Sequence, residues 1–171
     1  MRVFISADIE GVAGREQCRA GSADYPLARA LMEQEVNAAI DGAFAGGASE
    51  VVVADSHGAM ENLRANRIDP RARLLQGKPR PFSMVEGLQQ QIFDCMMFIG
   101  YHSAAGEFGV LAHTINGWAF YRVTLNDEVM AESDLYAALG AELKTPLWLV
   151  SGDDKLQLWD RAALPLCRFR Q

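Results

Sequence analysis

A chain of 171 residues, half of them apolar and 22% charged, is long enough for one domain with a substantial core and too short to indicate two. Its formal net charge of -6 excludes the basic face that nucleic acid or an anionic membrane surface would need. The charge balance instead favours a metal ion or a small cationic or zwitterionic ligand.

The cysteines and the N-terminal region indicate the cellular compartment. Cys18, Cys95 and Cys167 are an odd number without a CxxC spacing, which is typical of free thiols in a reducing compartment. Asp8 and Glu10 interrupt the first apolar run before the core of a signal peptide could form. No stretch approaches the roughly 18 apolar residues of a membrane span. We therefore expect a soluble, cytoplasmic protein.

The first predicted strand covers residues 3–9 and carries two carboxylates, Asp8 and Glu10, at its end. Alternation along a strand would point both side chains to the same face. Two like charges that close raise each other's pKa unless a metal, a basic partner or a shared proton lies between them. On this stretch alone, two ordinary acids at a solvated strand end remain an equal alternative.

A strand, a loop and a helix begin the chain. An amphipathic helix is predicted over residues 25–44, with Asp24 placed to cap its start and Gly46-Gly47 to end it. Residues 50–55 then form a short apolar strand, typical of a parallel strand buried on both faces, and His57 follows it directly.

The middle of the chain is more polar. The charges of residues 59–81 are interpreted as a solvated face, with one short strand near residues 73–76. A capping-box spacing predicts a helix from Ser83 to about residue 93. Residues 95–100 form a third buried strand, which His102 follows.

The last elements are a hairpin over residues 120–130 with its turn at Asn126-Asp127, a helix over 135–143 and a strand over 146–150. Buried strands that alternate with helices indicate an α/β, three-layer domain. We expect its central sheet to be mainly parallel, with a separate antiparallel hairpin.

Ligands of such sheets bind beyond the carboxyl ends of the parallel strands. Those ends carry Asp8 and Glu10, then His57, then His102, with Glu132 at a later strand-to-helix junction. Each has another interpretation alone: a turn cap for His57, a core histidine for His102 and a solvated acid for Glu132. Together, two imidazoles and three carboxylates are typical ligands of zinc, manganese or cobalt, in a number sufficient for two ions. Such a pair activates water, which favours a hydrolase.

Six segments carry a resemblance to a known family. They are Ser6-Ala7-Asp8-Ile9-Glu10-Gly11, Asp55-Ser56-His57, Pro81-Phe82-Ser83-Met84-Val85-Glu86-Gly87, Phe98-Ile99-Gly100-Tyr101-His102, His113-Thr114 and Ser151-Gly152-Asp153-Asp154. In this order they resemble the D-aminopeptidase family, the M55 metallopeptidases. The resemblance covers about residues 1–154, and residues 155–171 are expected to be an unrelated tail.

The resemblance implies a function and a site. It implies two zinc ions per subunit, removal of an N-terminal D-residue such as D-alanine from short peptides, and assembly of a homo-oligomeric ring. By position, Asp8 would bridge both ions, Glu10 and His102 would complete one shell, and His57 and Glu132 the other. His113 matches the family's catalytic histidine and would handle a proton or stabilise the tetrahedral intermediate.

Several alternatives remain open at this point. Because family members continue well past the Ser151–Asp154 segment, the chain could be a non-catalytic metal- or peptide-binding remnant, which predicts bound metal without turnover. A binuclear hydrolase could also act on another amide or on a phosphoester. Asp153 and Asp154 could support the site or only close a turn. The Gly11–Gly14 segment lacks the GxGxxG spacing of a dinucleotide site.

Overall fold

The computed structural model describes residues 1–14, 20–156 and 168–170. Its strands are β1 (Arg2–Ala7), β2 (Glu50–Asp55), β3 (Arg73–Leu75), β4 (Cys95–Tyr101), β5 (Thr124–Leu125), β6 (Glu128–Val129), β7 (Leu147–Gly152) and β8 (Arg168–Arg170), and its α-helices are α1 (Tyr25–Ala45) and α2 (Glu132–Glu142). Six strands form a parallel sheet in the order β3-β2-β1-β4-β7-β8. β5 and β6 form a separate antiparallel pair.

The two helices lie on opposite faces of the sheet. Ile5 of β1 packs in one apolar cluster with Val36 of α1, and its neighbour Phe4 packs in a second cluster with Tyr136 of α2. This is the result of side-chain alternation along a strand that is buried on both faces. The structure confirms the predicted α/β, three-layer domain with a mainly parallel sheet and an antiparallel hairpin.

Most element bounds agree with the prediction, because continuous apolar runs define buried strands well. β2 is observed as predicted, and the hairpin turn lies at Asn126 and Asp127, whose φ angles of 53° and 68° are those of a tight two-residue turn. Several bounds differ: β1 ends at Ala7, α2 begins at Glu132, three residues before the predicted start, and β7 extends to Gly152. The hairpin strands are shorter than predicted and cover only residues 124–125 and 128–129.

The predicted helix over residues 83–93 is wrong. The structure has two short 3-10 turns there, Ser83–Val85 and Leu88–Gln90. Gly87 lies between them with a φ of 102°, a left-handed conformation that ends any helical run. The Glu86 carboxylate does accept the Phe82 backbone N–H at 2.9 Å, so the capping contact closes a turn instead of starting a helix.

The predicted cap of α1 is also wrong in its detail. Asp24 occupies the N-cap position, but its side chain forms no cap hydrogen bond. Its backbone carbonyl accepts the Ala28 N–H at 3.0 Å. At the other end, Gly46 is the C-cap and Gly47 adopts a φ of 90°, as predicted for the end of this helix.

The segment after residue 154 contributes to the same sheet. Arg168–Arg170, within the expected tail, pairs in parallel with β7. Cys95 is a buried free thiol, whereas Cys18 and Cys167 lie outside the described residues. Neither of the two described α-helices has the length and apolar content needed to cross a bilayer.

Candidate metal centre

The side chains singled out from the sequence meet at the carboxyl edge of the parallel sheet, where β1, β2 and β4 end side by side. They are Asp8 and Glu10 after β1, His57 after β2, His102 after β4, His113 between β4 and β5, and Glu132 at the start of α2. The order of the strands therefore brings together residues that are distant in sequence.

Asp8 and Glu10 reach the site from a turn and not from alternate positions of a strand. The Gly11 backbone N–H donates to the Gly100 carbonyl at 2.8 Å, which closes the turn against the end of β4. A Cβ atom on Gly11 would overlap the Tyr101 carbonyl, and one on Gly100, whose φ is 72°, would overlap the Asp8 carbonyl. Glycine at both positions permits the close approach that directs the two carboxylates inwards.

His57 lies against both carboxylates. Its Nδ1 is 2.9 Å from Glu10 Oε2 and 3.4 Å from Asp8 Oδ1. Burial of the ring acts to lower its pKa, but the contacts with Asp8 and Glu10 outweigh burial and raise the pKa to about 10. The His57 side chain therefore contacts two carboxylates and does not cap a turn.

His102 is completely buried, and its two ring nitrogens have different surroundings. Nδ1 lies 3.0 Å from the Ser103 carbonyl, which makes it the N–H donor. Nε2 lies 3.5 Å from Asp8 Oδ2 and 3.6 Å from Glu132 Oε2. Among the described residues it has no hydrogen-bond partner. His102 is thus not a satisfied core histidine.

The carboxylates concentrate negative charge in a buried space. Burial, followed by repulsion from Glu10, raises the pKa of Asp8 well above its usual value. Burial also acts to raise the pKa of Glu10, but the hydrogen bond from His57 lowers it overall. Burial acts to lower the pKa of His102, yet Glu132 and Asp8 raise it to about 10. The site therefore favours positive charge, either protons on imidazoles or a cation.

His113 lies next to His102 although it comes from a long connection. The two imidazoles stack with centroids 4.4 Å apart and planes 14° from parallel. His113 Nδ1 lies 2.9 Å from the Leu111 carbonyl, and Nε2 lies 3.7 Å from Glu132 Oε1. Its side chain remains one-quarter exposed, so it faces solvent as well as the buried ligands.

Thr114 explains how this connection is held. Its buried hydroxyl accepts the Ala105 N–H and donates to the Met130 carbonyl, both at 3.0 Å. The next residue, Ile115, donates its backbone N–H to Glu132 Oε1 at 2.7 Å. These contacts place His113 and orient Glu132 at the same time.

A comparison with known protein families shows to which family the chain belongs. The family model for the M55 peptidases, D-aminopeptidase, matches residues 1–170. The chain belongs to this family. The match extends past residue 154 into the segment that the sequence analysis set apart as a tail.

A sequence comparison and a structure comparison each find a protein similar to this M55 chain. A D-aminopeptidase from Bacillus subtilis (strain 168) is 35% identical over 158 residues, which are 91% of this chain and 57% of the relative. The solved structure of the Zn-dependent D-aminopeptidase DppA from Bacillus subtilis, a self-compartmentalizing protease, has a TM-score of 0.91 and 33% identity, and the alignment covers 99% of this chain and 62% of that one. The chain spans less than two thirds of the length of either relative.

The residues of this M55 chain fit a zinc ion. Two ligands bound about 2.0–2.2 Å from a tetrahedral zinc lie roughly 3.3–3.6 Å apart. The separations of His102 Nε2 from Asp8 and Glu132 lie in this range and are too long for hydrogen bonds. The hydrogen bond from His102 Nδ1 to a backbone carbonyl is the contact that metal-ligating histidines usually make with their other nitrogen.

The described part of the chain contains three groups of potential ligand residues, and the ligand atoms within each group lie within 4.8 Å of one another. They are Asp8, Glu10 and His57; Asp8, His102 and Glu132; and Glu10, His102 and His113. Asp8 belongs to two groups, with Oδ1 towards His57 and Oδ2 towards His102. Glu10 belongs to one group with His57 and to another with His102, the partner that the resemblance gave it.

Asp8, Glu10, His57, His113 and Glu132 line a cavity of about 390 Å³. Its lining includes two cations that the sequence analysis interpreted as part of a solvated face, Lys78 and Arg80. Arg80 directly precedes the Pro81–Gly87 segment of the family resemblance. This adjacency is the sequence feature that could have indicated a position near the site. Tyr136 and Met84 complete part of the wall.

Asp153 fulfils both roles that the sequence left open. Its Oδ1 accepts the backbone N–H groups of Lys155 and Leu156 at 3.0 and 2.6 Å, which closes a turn. Its Oδ2 accepts the Ser103 backbone N–H at 3.3 Å, beside the carbonyl that holds His102. The Asp154 carboxylate lies near Lys155 only, at 3.9 Å, among the described residues.

Proposed function

We propose that this chain is a zinc-dependent aminopeptidase that hydrolyses the first peptide bond of short peptides, with an N-terminal D-residue such as D-alanine, at a binuclear site. Membership of the M55 family and the naming of DppA as a Zn-dependent D-aminopeptidase support this proposal. One structural observation carries it: the buried Nε2 of His102 lies between two carboxylates without a hydrogen-bond partner in the described residues. An unpaired polar atom of this kind is costly unless a ligand completes it.

We assign the ligands from the contacts around Asp8. This carboxylate would bridge the two ions, because its oxygens face opposite histidines. Glu10 and His57 would complete one shell, and His102 and Glu132 the other. Bound zinc would supply Lewis acidity, which lowers the pKa of a coordinated water towards ~7 and polarises the scissile carbonyl.

His113 is the proton-handling residue in this proposal. Since its Nδ1–H donates to the Leu111 carbonyl, Nε2 is the atom that accepts a proton or donates one to the departing amine. The stack with His102 and the anchoring of Thr114 restrict the ring's position. When protonated, the same nitrogen can also stabilise negative charge that develops on the carbonyl oxygen.

The cavity agrees with a short peptide as substrate. Its volume of about 390 Å³ lies near the lower end of the range for small-molecule sites. The carboxylates at its base favour the cationic free amine of a peptide N-terminus. Recognition of that amine is what separates an aminopeptidase from an endopeptidase.

The test combines zinc content with turnover. We would measure zinc per chain on size-fractionated protein and follow hydrolysis of D-alanyl and L-alanyl p-nitroanilide by the same fraction. About two zinc ions per chain and faster hydrolysis of the D-substrate are expected. Zinc without turnover of any peptide would instead support the binding-remnant alternative, and a folded chain without zinc would refute the site.

We also infer that the protein associates with copies of itself through the apolar loop, defined as residues 106–121. Phe108, Trp118 and Tyr121 in this loop are 90%, 95% and 81% exposed. Large exposed aromatic side chains are enriched at protein interfaces. A ring of subunits would agree with the description of DppA as self-compartmentalizing. Because His113 lies in the same loop, association and catalysis would be coupled.

A further inference from the structure

We propose that Lys78 determines specificity by binding the free C-terminal carboxylate of the peptide whose N-terminus lies at the metal centre. This inference rests on the proposed aminopeptidase function and deepens it. It assigns a substrate-binding role to a lysine outside the ligand set and separates peptides with a free carboxylate from peptides whose C-terminus is blocked.

The cavity wall carries side chains of both charge signs. The carboxylates of Asp8, Glu10 and Glu132 line the same cavity as Lys78 and Arg80. Apart from histidines, these two are the cationic side chains among the described lining residues. Lys78 is exposed, and its amine forms no ion pair or hydrogen bond with any described residue. A free ammonium group in the wall of an acidic cavity is available to an anion that enters the cavity.

Arg80 has a different task in the same wall. Its guanidinium donates to the carbonyls of Gly77, Asp55 and Leu75 at 2.7, 2.8 and 2.9 Å. These acceptors are neutral backbone carbonyls, and the nearby carboxylates of Asp55 and Glu86 offset only part of the charge of Arg80. Arg80 therefore supports anion binding without being free to move.

The segment that carries Lys78 is fixed at both ends. Arg80 ties it to the end of β2, two residues before His57, and the Gly77 N–H donates to the Met60 carbonyl at 2.6 Å. The backbone of Lys78 is thus held relative to the metal ligands, and only its flexible side chain adjusts. A fixed backbone with a mobile ammonium group suits carboxylates of slightly different reach.

A peptide that is zwitterionic matches this arrangement. Its amine is attracted by the acidic base of the cavity and its carboxylate by Lys78. Two extended residues span roughly 7 Å, so a short peptide carries both charges within one cavity. A charge-assisted contact of this kind usually contributes about a tenfold change in affinity or more.

The test compares two substrates that differ only at the C-terminus: D-alanyl-D-alanine and its C-terminal amide. The measured quantity is the ratio of kcat/KM for the acid to kcat/KM for the amide. We expect Lys78→Met to lower this ratio about tenfold, mainly through KM for the acid, and Lys78→Arg to restore most of it. Lys144→Met is the matched control, because Lys144 is exposed at the end of α2, away from the cavity, and should keep the wild-type ratio.

Binding provides a second readout that does not depend on turnover. Acetyl-D-alanine and its amide would be titrated into the wild-type chain and Lys78→Met, with chemical-shift changes as the signal. Preference for the acid in the wild type alone supports the inference. Equal binding of the two compounds to the wild type, or an unchanged substrate ratio in Lys78→Met, would overturn it.

The two proposals fail in distinguishable ways. If the zinc-loaded wild type hydrolyses neither substrate, the aminopeptidase proposal is wrong, and the titration alone decides the role of Lys78. If both substrates are hydrolysed but Lys78→Met slows them equally, the enzyme proposal remains and the carboxylate contact is refuted.

Discussion

The carboxyl edge of the sheet and the apolar loop border the same cavity but are built in different ways. At the edge, buried acidic and histidine side chains follow paired strands, and His57 and His102 both lie against Asp8. The apolar loop instead exposes large aromatic side chains, and it is anchored chiefly at Thr114. The edge can therefore form within one chain, whereas the loop has surface that a partner would cover.

This contrast separates the residues that would bind metal from the residue that would complete the proposed active site. Five of the six site residues belong to the edge or to the start of α2, and His113 belongs to the loop. Metal binding should depend on the edge alone. Catalysis should depend on both regions, since the proposed proton-handling group comes from the loop.

Removal of the central carboxylate should have the largest effect. Asp8→Ala removes the group that faces both His57 and His102, so zinc content should fall to below one ion per chain. Activity should fall by more than the roughly 10²–10⁴-fold that one acid-base group contributes. Zinc analysis and turnover of D-alanyl p-nitroanilide check this, with Asp154→Ala as a control at an exposed carboxylate. Two zinc ions in Asp8→Ala would contradict the bridging assignment.

Loss of the loop histidine should separate the two regions. His113→Ala should lower kcat about 10²–10⁴-fold while zinc content stays at the wild-type level. His57→Ala should lose both zinc and activity. If His113→Ala also lost its zinc, His113 would be a ligand, and the group of Glu10, His102 and His113 would describe the metal shell better.

The edge was also the more predictable of the two regions. The apolar runs of β2 and β4 and the residues that follow them indicated His57 and His102, because strand order and burial follow from local hydrophobicity. The geometry of Asp8 and Glu10 was predicted for the wrong reason, since the close approach of Gly11 and Gly100 that shapes their turn is a tertiary contact.

Loop-borne features could not be derived from spacing. The role of His113 came from the family resemblance alone, because a long connection can place a histidine anywhere. Lys78 is exposed, in agreement with its interpretation as a solvated residue. Its position in the cavity wall depends on the tertiary path of the chain, which the sequence pattern does not reveal. The helix expected after Ser83 failed at Gly87, where backbone conformation outweighed a capping pattern.

Polar substitution in the apolar loop should weaken association and leave the edge intact. Trp118→Ser removes a side chain that is 95% exposed, and a central interface aromatic contributes about 2 kcal/mol or more to binding. Light scattering after size exclusion should show smaller assemblies at a given concentration, with unchanged zinc content. Trp148→Ser, on β7 and 49% exposed, is the matched control. Unchanged assembly in Trp118→Ser would show that another surface mediates association.

Overpacking the turn after β1 should damage the edge without touching a ligand. In Gly11→Ala the new methyl group would overlap the Tyr101 carbonyl, which we expect to lower the free energy of unfolding by about 1–3 kcal/mol and to weaken zinc binding. Gly42→Ala in α1, where a Cβ atom meets open space, should instead stabilise by roughly 0.5–1 kcal/mol. Urea denaturation measures both, and an equal response would contradict the close-approach argument.

The smallest effect should come from an ion pair that belongs to neither region. Buried Glu33 of α1 accepts the Arg64 backbone N–H at 2.9 Å and its guanidinium at 2.8 and 2.7 Å. Burial acts to raise the pKa of Glu33, but these bonds lower it below its ordinary value of 4.5. The folded state therefore holds the proton more weakly than the unfolded state, and the stabilisation is present above pH 4.5 and lost as pH falls through the folded pKa.

Glu33→Gln should consequently lower the Tm by only about 2–4 °C at pH 7, because the side chain of Arg64 is partly exposed and solvent screens the pair. The difference from the wild type should shrink as the pH falls through the lowered pKa of Glu33, because Glu33 of the wild type then becomes protonated. Glu142→Gln, at the exposed end of α2, is the control and should show neither effect. A difference in Tm that grows towards low pH would contradict the sign of this linkage. Zinc content should be the same in all three proteins, since the ion pair lies outside the edge and the loop.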